Sequence, residues 1–496
     1  MKVSKGNHPV SRFAEPGLSA FLVLLCGAAL GVFHGAPAHA QAQNPSSAAN
    51  PFWGSVTAQP ATAEPLKLSL DDAIQRGLKN NLGLKEAENG EKILHGEKNE
   101  ALQEFLPTIE LEGDTGYYMH NLAALGFSPS VLGKFTSLFP GGKAPTNLSL
   151  IARDDLTQGQ LRYSEILFSG PVFEGWKAAG AAERSAYYAK MTARGEVVQQ
   201  VATAYLRAIA DASHVDNAKA LVAQAQVLED HEHAAHEAGT AANLDELRAK
   251  VQLQAQEQGM IAAQNQQAKD LILLKREIGV DPEQEIELTD PAPYSELATE
   301  TPEEVRALAY KSRQDYQNLQ NQAVEYKAVR AVYRSERLPT LSFESYYGTS
   351  TVNGAGTHGN FAAIGQLNFP IFREAKLRGD ADVAKAQMES VNVQLDDLRN
   401  HIDEQVRAAL LDVNANARLV QVARSNVDLA TRALSDETDR VSAGVDDNLP
   451  LVTAQAELAT AESNLVESLY QYNVSKLLLA RAAGVLETQY RVYLGR

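Results

Sequence analysis

The residues that could do chemistry in this chain are few. His231, Glu232, His233 and His236 stand together just ahead of a Gly-containing turn. Imidazole and carboxylate groups at that density are donor types for a borderline metal ion. His233 and His236 are one helical turn apart and could share one. The zinc-protease spacing H-E-x-x-H is not met, because position 235 is alanine. The plainer reading is a solvated helix end, and no metal is expected. Asp71-Asp72 follow Ser69-Leu70 and read as first-turn acids facing the helix dipole, with Ser69 as cap, rather than as paired catalytic acids. Cys26 is the only cysteine and lies in an apolar N-terminal run behind Leu25, which does not suit lipidation. No phosphate loop and no Ser/His/Asp pattern is present. The chain reads as a non-enzyme that needs no cofactor.

What remains is architecture. Residues 1–40 read as a secretory signal: Lys2, Lys5 and Arg12 precede the apolar run Leu18–Phe33, and Ala38-His39-Ala40 fits the cleavage pattern. Their removal takes away three bases and one acid, so the net charge of −17 becomes −19. Such a surface opposes nucleic-acid binding, which depends on neutralising phosphates. No internal apolar run is long enough for a membrane-spanning helix. Residues 41–68 are rich in Ala, Pro, Gln, Ser and Thr and read as a linker, broken by the aromatic piece Asn50-Pro51-Phe52-Trp53-Gly54.

Two strand pairs interrupt long helical stretches. Leu106-Pro107-Thr108 opens an alternating stretch over 108–118, with Ile109, Leu111, Gly113, Thr115 and Tyr117 on one face. Glu110, Glu112 and Asp114 lie on the other. A period of two is the strand pattern, and the length suits a membrane strand. A loop over 119–158 follows, carrying Phe127, Phe135 and Phe139, then a return strand at 159–171 ending Pro171-Val172-Phe173. The second pair opens with Leu338-Pro339-Thr340, covers 340–350 and 360–370, and ends Pro370-Ile371-Phe372. Glu344 is its acid opposite the apolar face.

Helices are expected over 69–105, 173–237, 244–278, 302–337, 372–441 and 449–483. The chain therefore divides into a first repeat (69–281, hairpin 108–171), a connector (282–300), a second repeat (301–485, hairpin 340–370) and a tail (486–496). Duplication is legible residue by residue. Moving Ala238–Val280 by 205 positions matches Ala238-Gly239, Asn243-Leu244, Ala249, Leu253, Glu257, Gln266, Leu273-Leu274, Arg276 and Gly279-Val280 to identical partners without a gap. In the last helix Leu451, Leu458, Leu465, Tyr472 and Leu479 recur every seven residues, with Ala454, Ala461, Ser468 and Ser475 three places after the first four. Large residues alternating with small ones make a close-packing seam. Four strands cannot close a barrel, and open edges are not tolerated in lipid. If the strands span a membrane, several chains share one barrel. The competing reading is a periplasmic coiled-coil adaptor or scaffold without a pore.

In these features, from Ser69 to Val485, the chain resembles the TolC-type outer-membrane channels of efflux pumps and type I secretion systems. The resemblance rests on the tandem repeat, the L-P-T and P-x-F strand borders, and the A-G-x-x-x-N-L turns before helices ending Gly-Val. It implies a mostly α fold with membrane β: a homotrimer whose twelve strands form an outer-membrane barrel, continued by a long helical barrel in the periplasm. It further implies a passive exit duct that docks to a periplasmic adaptor (membrane fusion) protein and, through it, an inner-membrane transporter. By the same resemblance the turns Gly239, Asn243, Leu244 and Gly444, Asn448, Leu449 would meet the adaptor. Asp245, Asp446 and Asp447 would close the periplasmic end. Asp245 equally reads as a first-turn acid in a helix capped by Asn243. Glu110, Glu112, Asp114 and Glu344 would face the lumen.

Overall fold

Alternating short and very long helices, divided by two hairpins, set the course of the chain. The computed structural model describes residues 50–56, 60–121, 151–240, 242–291, 294–298, 301–353, 356–443 and 448–495. The proposed signal segment lies outside them. Strand β1 (Leu66–Leu68) leads into helices α1 (Leu70–Asn80) and α2 (Leu82–Gln103). The first hairpin is β2 (Thr108–Asn121) and β3 (Ile151–Phe168). Helices α3 (Gly170–Glu237) and α4 (Asn243–Ile278) follow, then strand β4 (Ile286–Leu288). The order repeats as α5 (Pro302–Ser312), α6 (Gln314–Ser335), β5 (Thr340–Val352), β6 (Thr357–Asn368), α7 (Glu374–Ser442) and α8 (Asn448–Ala482). A last helix, α9 (Leu486–Leu494), ends the chain. Among the described residues no helix is long and apolar enough to cross a membrane.

The two halves match element by element. Helices α1 and α5 have 11 residues each, α2 and α6 have 22. Helices α3 and α7 have 68 and 69, and α4 and α8 have 36 and 35. At 1.5 Å per residue, α3 and α7 are each about 100 Å long. Even β1 and β4 correspond, and they pair with each other in parallel, Leu66 opposite Ile286.

Several boundaries differ from the sequence reading, each for a local reason. The helices expected over 69–105 and 302–337 are both split by one extended residue, Asn81 and Arg313. Asn81 ends α1 with its own N–H on the Gly77 carbonyl. Its side chain accepts from the Leu84 N–H and donates to the Phe52 carbonyl. Arg313 is held by both oxygens of Asp315 and by Gln405. The return strand begins at Ile151, not 159, and stops at Phe168, because Pro171 belongs to the first turn of α3, where a missing N–H costs nothing. Residues 122–150, with Phe127, Phe135 and Phe139, lie outside the described residues. The part of 41–68 that is described is not a plain linker: Phe52 packs against α2 at Gly83, and β1 joins the two-stranded sheet. The tail is helical, with Tyr490 and Tyr493 buried. Tyr490 donates to Asp71 Oδ1 at 2.6 Å, and Arg491 pairs with the same carboxylate at 2.9 Å.

Helix packing gives the wall its order. On the hairpin side of the joints the sequence of neighbours is α2, α3, α6, α7; on the other side it is α4, α3, α8, α7. The main core gathers at the joints, where α1, α5, α9 and the β1–β4 pair cover α3, α7 and α8. Its residues include Leu68, Ile74, Tyr205, Ile402, Leu477 and Tyr490. Here Gly484 adopts φ +77, and a Cβ on it would meet the Arg313 backbone nitrogen at 2.6 Å. Only glycine lets α8 end against the start of α6.

Candidate functional site

Three places carry the polar groups that could serve function: the four-stranded sheet, the turn between α3 and α4, and a charge centre inside the helical wall. The sheet is antiparallel in the order β2-β3-β5-β6. Its register sorts the side chains. Glu110 lies opposite Arg162, and Arg162 opposite Tyr346; Glu112 opposite Gln160; Asp114 opposite Gln158; Glu344 opposite Ser164. All four sequence-predicted acids therefore share one face, with Gln158, Gln160, Asn360 and His358. The other face carries Ile109, Leu111, Leu161, Tyr347, Phe361 and Leu367. Leu111 is 84% exposed, and Phe361 and Leu367 are each 69% exposed. An apolar face that open to the surroundings, backed by a polar one, is the pattern of a membrane β-barrel wall. Arg162 was missed by the sequence reading. It pairs with Glu112 at 3.5 Å, and Gln160 donates to the same carboxylate at 2.9 Å. Among the described residues Glu110 and Asp114 have no such ion pair.

At the turn, Gly239 takes φ +75, with the Thr240 N–H on the Ala235 carbonyl and the Gly239 N–H on the His236 carbonyl. This left-handed cap ends α3 and needs glycine. Ala242, not Asn243, occupies the cap position of α4, and no side chain caps it. Asn243 is already the first helical residue, so the expected Asn243 cap is not formed. Asn243 and Leu244 are exposed. Asp245 lies in the first turn and pairs with Arg248 at 3.3 Å. In the second repeat α8 starts at Asn448, followed by Leu449. Gly444, Asp446 and Asp447 lie outside the described residues.

The histidines are joined by a residue that the sequence did not bring to them. Glu246 of α4 accepts from His233 Nδ1 at 3.0 Å, and its second oxygen is 3.8 Å from His236 Nε2. Glu237 lies 3.6 Å from His233 Nε2, and His231 pairs with the buried Glu232. The hydrogen bond to Glu246 raises the His233 pKa, and Glu237 adds to it; the same bond lowers that of Glu246. Among the described residues no group of donors is arranged to hold a metal ion. The cluster is an ionic clasp between α3 and α4.

The charge centre was not foreseen. Arg207 of α3 contacts Asp211 at 3.4 Å, Asp270 of α4 at 3.8 Å and Glu467 of α8 at 3.3 Å, and lies over the Tyr470 ring at 5.2 Å. Asp211 is 3% exposed. Burial is the first cause that raises its pKa, and the Asp270 carboxyl beside it is the second. The clue in the sequence was an i,i+4 charge pair inside the apolar run Tyr205–Asp211. A cavity of about 640 Å³ opens near the helix joints, where Arg313 and Asp315 face each other. Its charged groups largely satisfy one another, as with Arg481 and Glu196.

Solved structures share this architecture. The chain is similar to a membrane protein from Pseudomonas aeruginosa at 18% identity, covering 84% of this chain and 93% of that one, with a TM-score of 0.70. It is similar to the CmeC outer membrane channel of Campylobacter jejuni at 15% identity, with 91% and 94% covered and a TM-score of 0.67. The open state of the MtrE outer membrane channel of Neisseria gonorrhoeae gives 15% identity, 87% and 95% covered, and a TM-score of 0.67. No curated protein sequence matches the chain. Fold and sheet together define a TolC-like fold, antiparallel strands continued by a long helical extension. Residues 308–485, nearly all of the second repeat, match the family described as outer membrane efflux protein. By that match the second repeat carries the sequence pattern of outer membrane efflux proteins.

Proposed function

We propose that three copies of this chain close one conduit, the exit duct of a tripartite efflux pump or of a type I secretion system. The observation that carries this is the sheet. It has four strands, one exposed apolar face, and two unpaired edges, β2 and β6. Unpaired backbone groups in lipid cost several kcal/mol each. Four strands are too few to close on themselves, whereas three copies give twelve. The helical wall also leaves two sides open to neighbours. α7 has neighbours on one side only, and leaves Leu411, Val422 and Leu429 exposed on its length. α4 likewise leaves Leu244, Leu247, Val251, Ile261 and Ile272 exposed. Each would be covered by the next copy. A pore-less adaptor or scaffold has no use for an apolar sheet face of this size.

In this arrangement the face with Glu110, Glu112, Asp114 and Glu344 lines the lumen, and three-fold symmetry makes each acid a ring. The turns at Gly239, Asn243, Leu244 and at Gly444, Asn448, Leu449 meet a periplasmic adaptor, which links the duct to an inner-membrane transporter. Asp245, with Asp446 and Asp447, narrows the periplasmic end. The test is assembly and current. The purified protein should run as a heat-labile trimer in detergent gels and conduct ions in planar bilayers. A monomer that remains soluble without detergent would overturn the proposal.

A further inference from the structure

We propose that the cavity at the helix joints is a binding site for a monovalent organic cation with an apolar body. The inference goes beyond the proposed function and rests on it only for which face of the wall meets the solute. Three observations carry it. First, the wall between α3 and α7 is interrupted where α8 ends at Ala482 and α6 starts at Gln314. The gap holds about 640 Å³, within the range of small-molecule sites. Its long sides, α3 and α7, belong to one chain, so the cavity is complete without a neighbouring copy. It opens away from the cover made by α1, α5 and α9. Leu477 and Ala480 of α8 are buried in the core under that cover, whereas Leu478 is 38% exposed and Arg481 is exposed beside the cavity. In the proposed duct this free face borders the lumen.

Second, the lining has an aliphatic part, with Met191, Leu398, Leu478 and Leu486. Third, its charged groups leave one acid over. Arg313 is held by Asp315 at 2.5 Å and by Gln405 at 2.6 Å. Arg481 is held by Glu196 and Gln199. Glu487 takes Arg194 at 2.6 Å, and His401 lies 3.3 Å from Glu404 and 2.8 Å from Gln405. Asp412 lines the cavity and is exposed, and its carboxylate has no ion pair or hydrogen bond among the described residues. Each guanidinium facing the cavity is thus already paired, and the unpaired charge is a carboxylate. An anion would meet no free guanidinium here. A divalent metal ion would find one free carboxylate where it needs several oxygen ligands. An ammonium at Asp412, with its alkyl arms on Leu398 and Leu478, uses both parts of the lining. Met191 lets the floor adapt to bodies of different shape.

The probes are tetrabutylammonium, a cation with four apolar arms, and tetramethylammonium, which has the charge without them. The full-length protein is purified in a non-ionic detergent and titrated with each by equilibrium dialysis. Block of single-channel current by the same probes is recorded in planar bilayers. The wild type should bind tetrabutylammonium more tightly than tetramethylammonium, and be blocked by it at lower concentration. Asp412→Asn should weaken tetrabutylammonium about fivefold, as the loss of one ion pair at the edge of water implies, with the oligomer intact. Leu478→Ser should cut the preference between the two probes about threefold. Asp397→Asn changes an exposed acid of α7 outside the cavity lining and should bind as the wild type does. Equal binding by wild type and Asp412→Asn would overturn the site. So would equal weakening by Asp397→Asn, which would assign the effect to the acidic surface at large. A wild type with equal affinity for the two probes would take away the apolar floor and overturn it too. A wild type that binds tetrabutylammonium as expected in dialysis but conducts no current would count against the channel reading and not against the site.

Discussion

Helices α3 and α7 are the same element in the two repeats, and they differ by one residue in length, yet they live in different surroundings. α3 has neighbours from its own chain on both sides: α2 and α4 on one, α6 and α8 on the other. Between Tyr187 and its end it exposes a single large apolar side chain, Val227. α7 has α6 and α8 on one side only. It exposes Val383, Val393, Leu411, Leu419, Val422 and Leu429. Their charges follow suit. α3 sends its ion pairs to other elements, Lys190 to Glu91, Arg194 to Glu487 and Arg207 to Glu467. α7 pairs mostly along itself, Lys385 with Glu389, Arg407 with Asp403 and Arg432 with Asp428. Duplication gave both helices a sequence written for two-sided burial. One repeat finds its second neighbour within the chain, and in the proposed trimer the other would find it in the next copy.

The contrast is broken most directly at a seam that the chain completes alone. Leu451, Leu458, Tyr472 and Leu479 of α8 are buried, and Leu458→Asp would place an unpaired charge among them at a cost of several kcal/mol. Both helical folding and trimer yield should fall, read by circular dichroism and detergent gels. Glu457→Gln is the matched control, since Glu457 is exposed one position away. Glu467, which looks off the seam by heptad counting, is unsuitable because it pairs with Arg207.

On the open side the result should differ in kind. Val422→Asp on α7 should keep the helical content of the protein but abolish the trimer, because Val422 is 57% exposed on the open side of the helix. If helical content falls as far as in Leu458→Asp, the exposed stripe of α7 is not a boundary between copies.

A smaller effect distinguishes the buried ion centre of the first repeat. An acid whose folded pKa is raised stabilises the fold fully below its unfolded value and loses that contribution as pH rises through the folded one. Asp211 is such an acid. The heat stability of the oligomer should therefore decline from pH 4 to pH 8 more steeply in the wild type than in Asp211→Asn. Arg207 keeps Asp270 and Glu467 in that variant. At pH 8 it should be the more stable protein by about 1–3 kcal/mol. Parallel pH profiles would show that Arg207 already holds Asp211 ionised at no cost.

The pattern of what could be read in advance follows from range. L-P-T, P-x-F, the Gly239 turn and the seam of α8 are local, and the hairpins and long helices came from them. The breaks at Asn81 and Arg313 were hidden because their causes, Phe52 and Gln405, are 29 and 92 residues away. β3 began eight residues before its expected start, since Asp154 and Asp155 interrupt its alternation and only pairing with Tyr118 and Tyr117 makes them a strand. Among the site residues, the acids of β2 were legible from period two alone. Arg162, which partly cancels Glu112, was not, because nothing in β2 names its partner.

That partner alters the expected selectivity of the pore. Glu112 has an ion pair with Arg162, whereas Glu110 and Asp114 have none among the described residues. Glu110→Gln with Asp114→Asn should remove most of the cation preference in reversal-potential measurements, and Glu112→Gln alone should remove little. Equal shifts from the two variants would mean that the ion pair is open in the lumen.

The smallest effect belongs to the periplasmic turn, where the two repeats diverge again. Asp245 has its counterpart in Pro450 by position, although Asp446 and Asp447 precede it in the chain. Two roles compete for Asp245. As a first-turn acid it complements the helix dipole, an effect of about 0.3–1 kcal/mol. That role matters more here than the sequence implied, because Ala242 leaves α4 without a side-chain cap. As a constricting acid, repeated three times around a narrow opening, it would control current. Its ion pair with Arg248 is exposed on both sides and so holds it weakly. Asp245→Ala should thus raise single-channel conductance while lowering the melting temperature only slightly. The clasp beside it offers an independent control. His233 gains its pKa from Glu246, so the clasp is fully formed below the ordinary histidine pKa and weakens as pH rises through the raised value. His233→Gln should remove that pH dependence from hydrogen exchange at the turn and leave conductance alone. If Asp245→Ala also changes only exchange and not current, the acid belongs to the helix end and the constriction lies elsewhere.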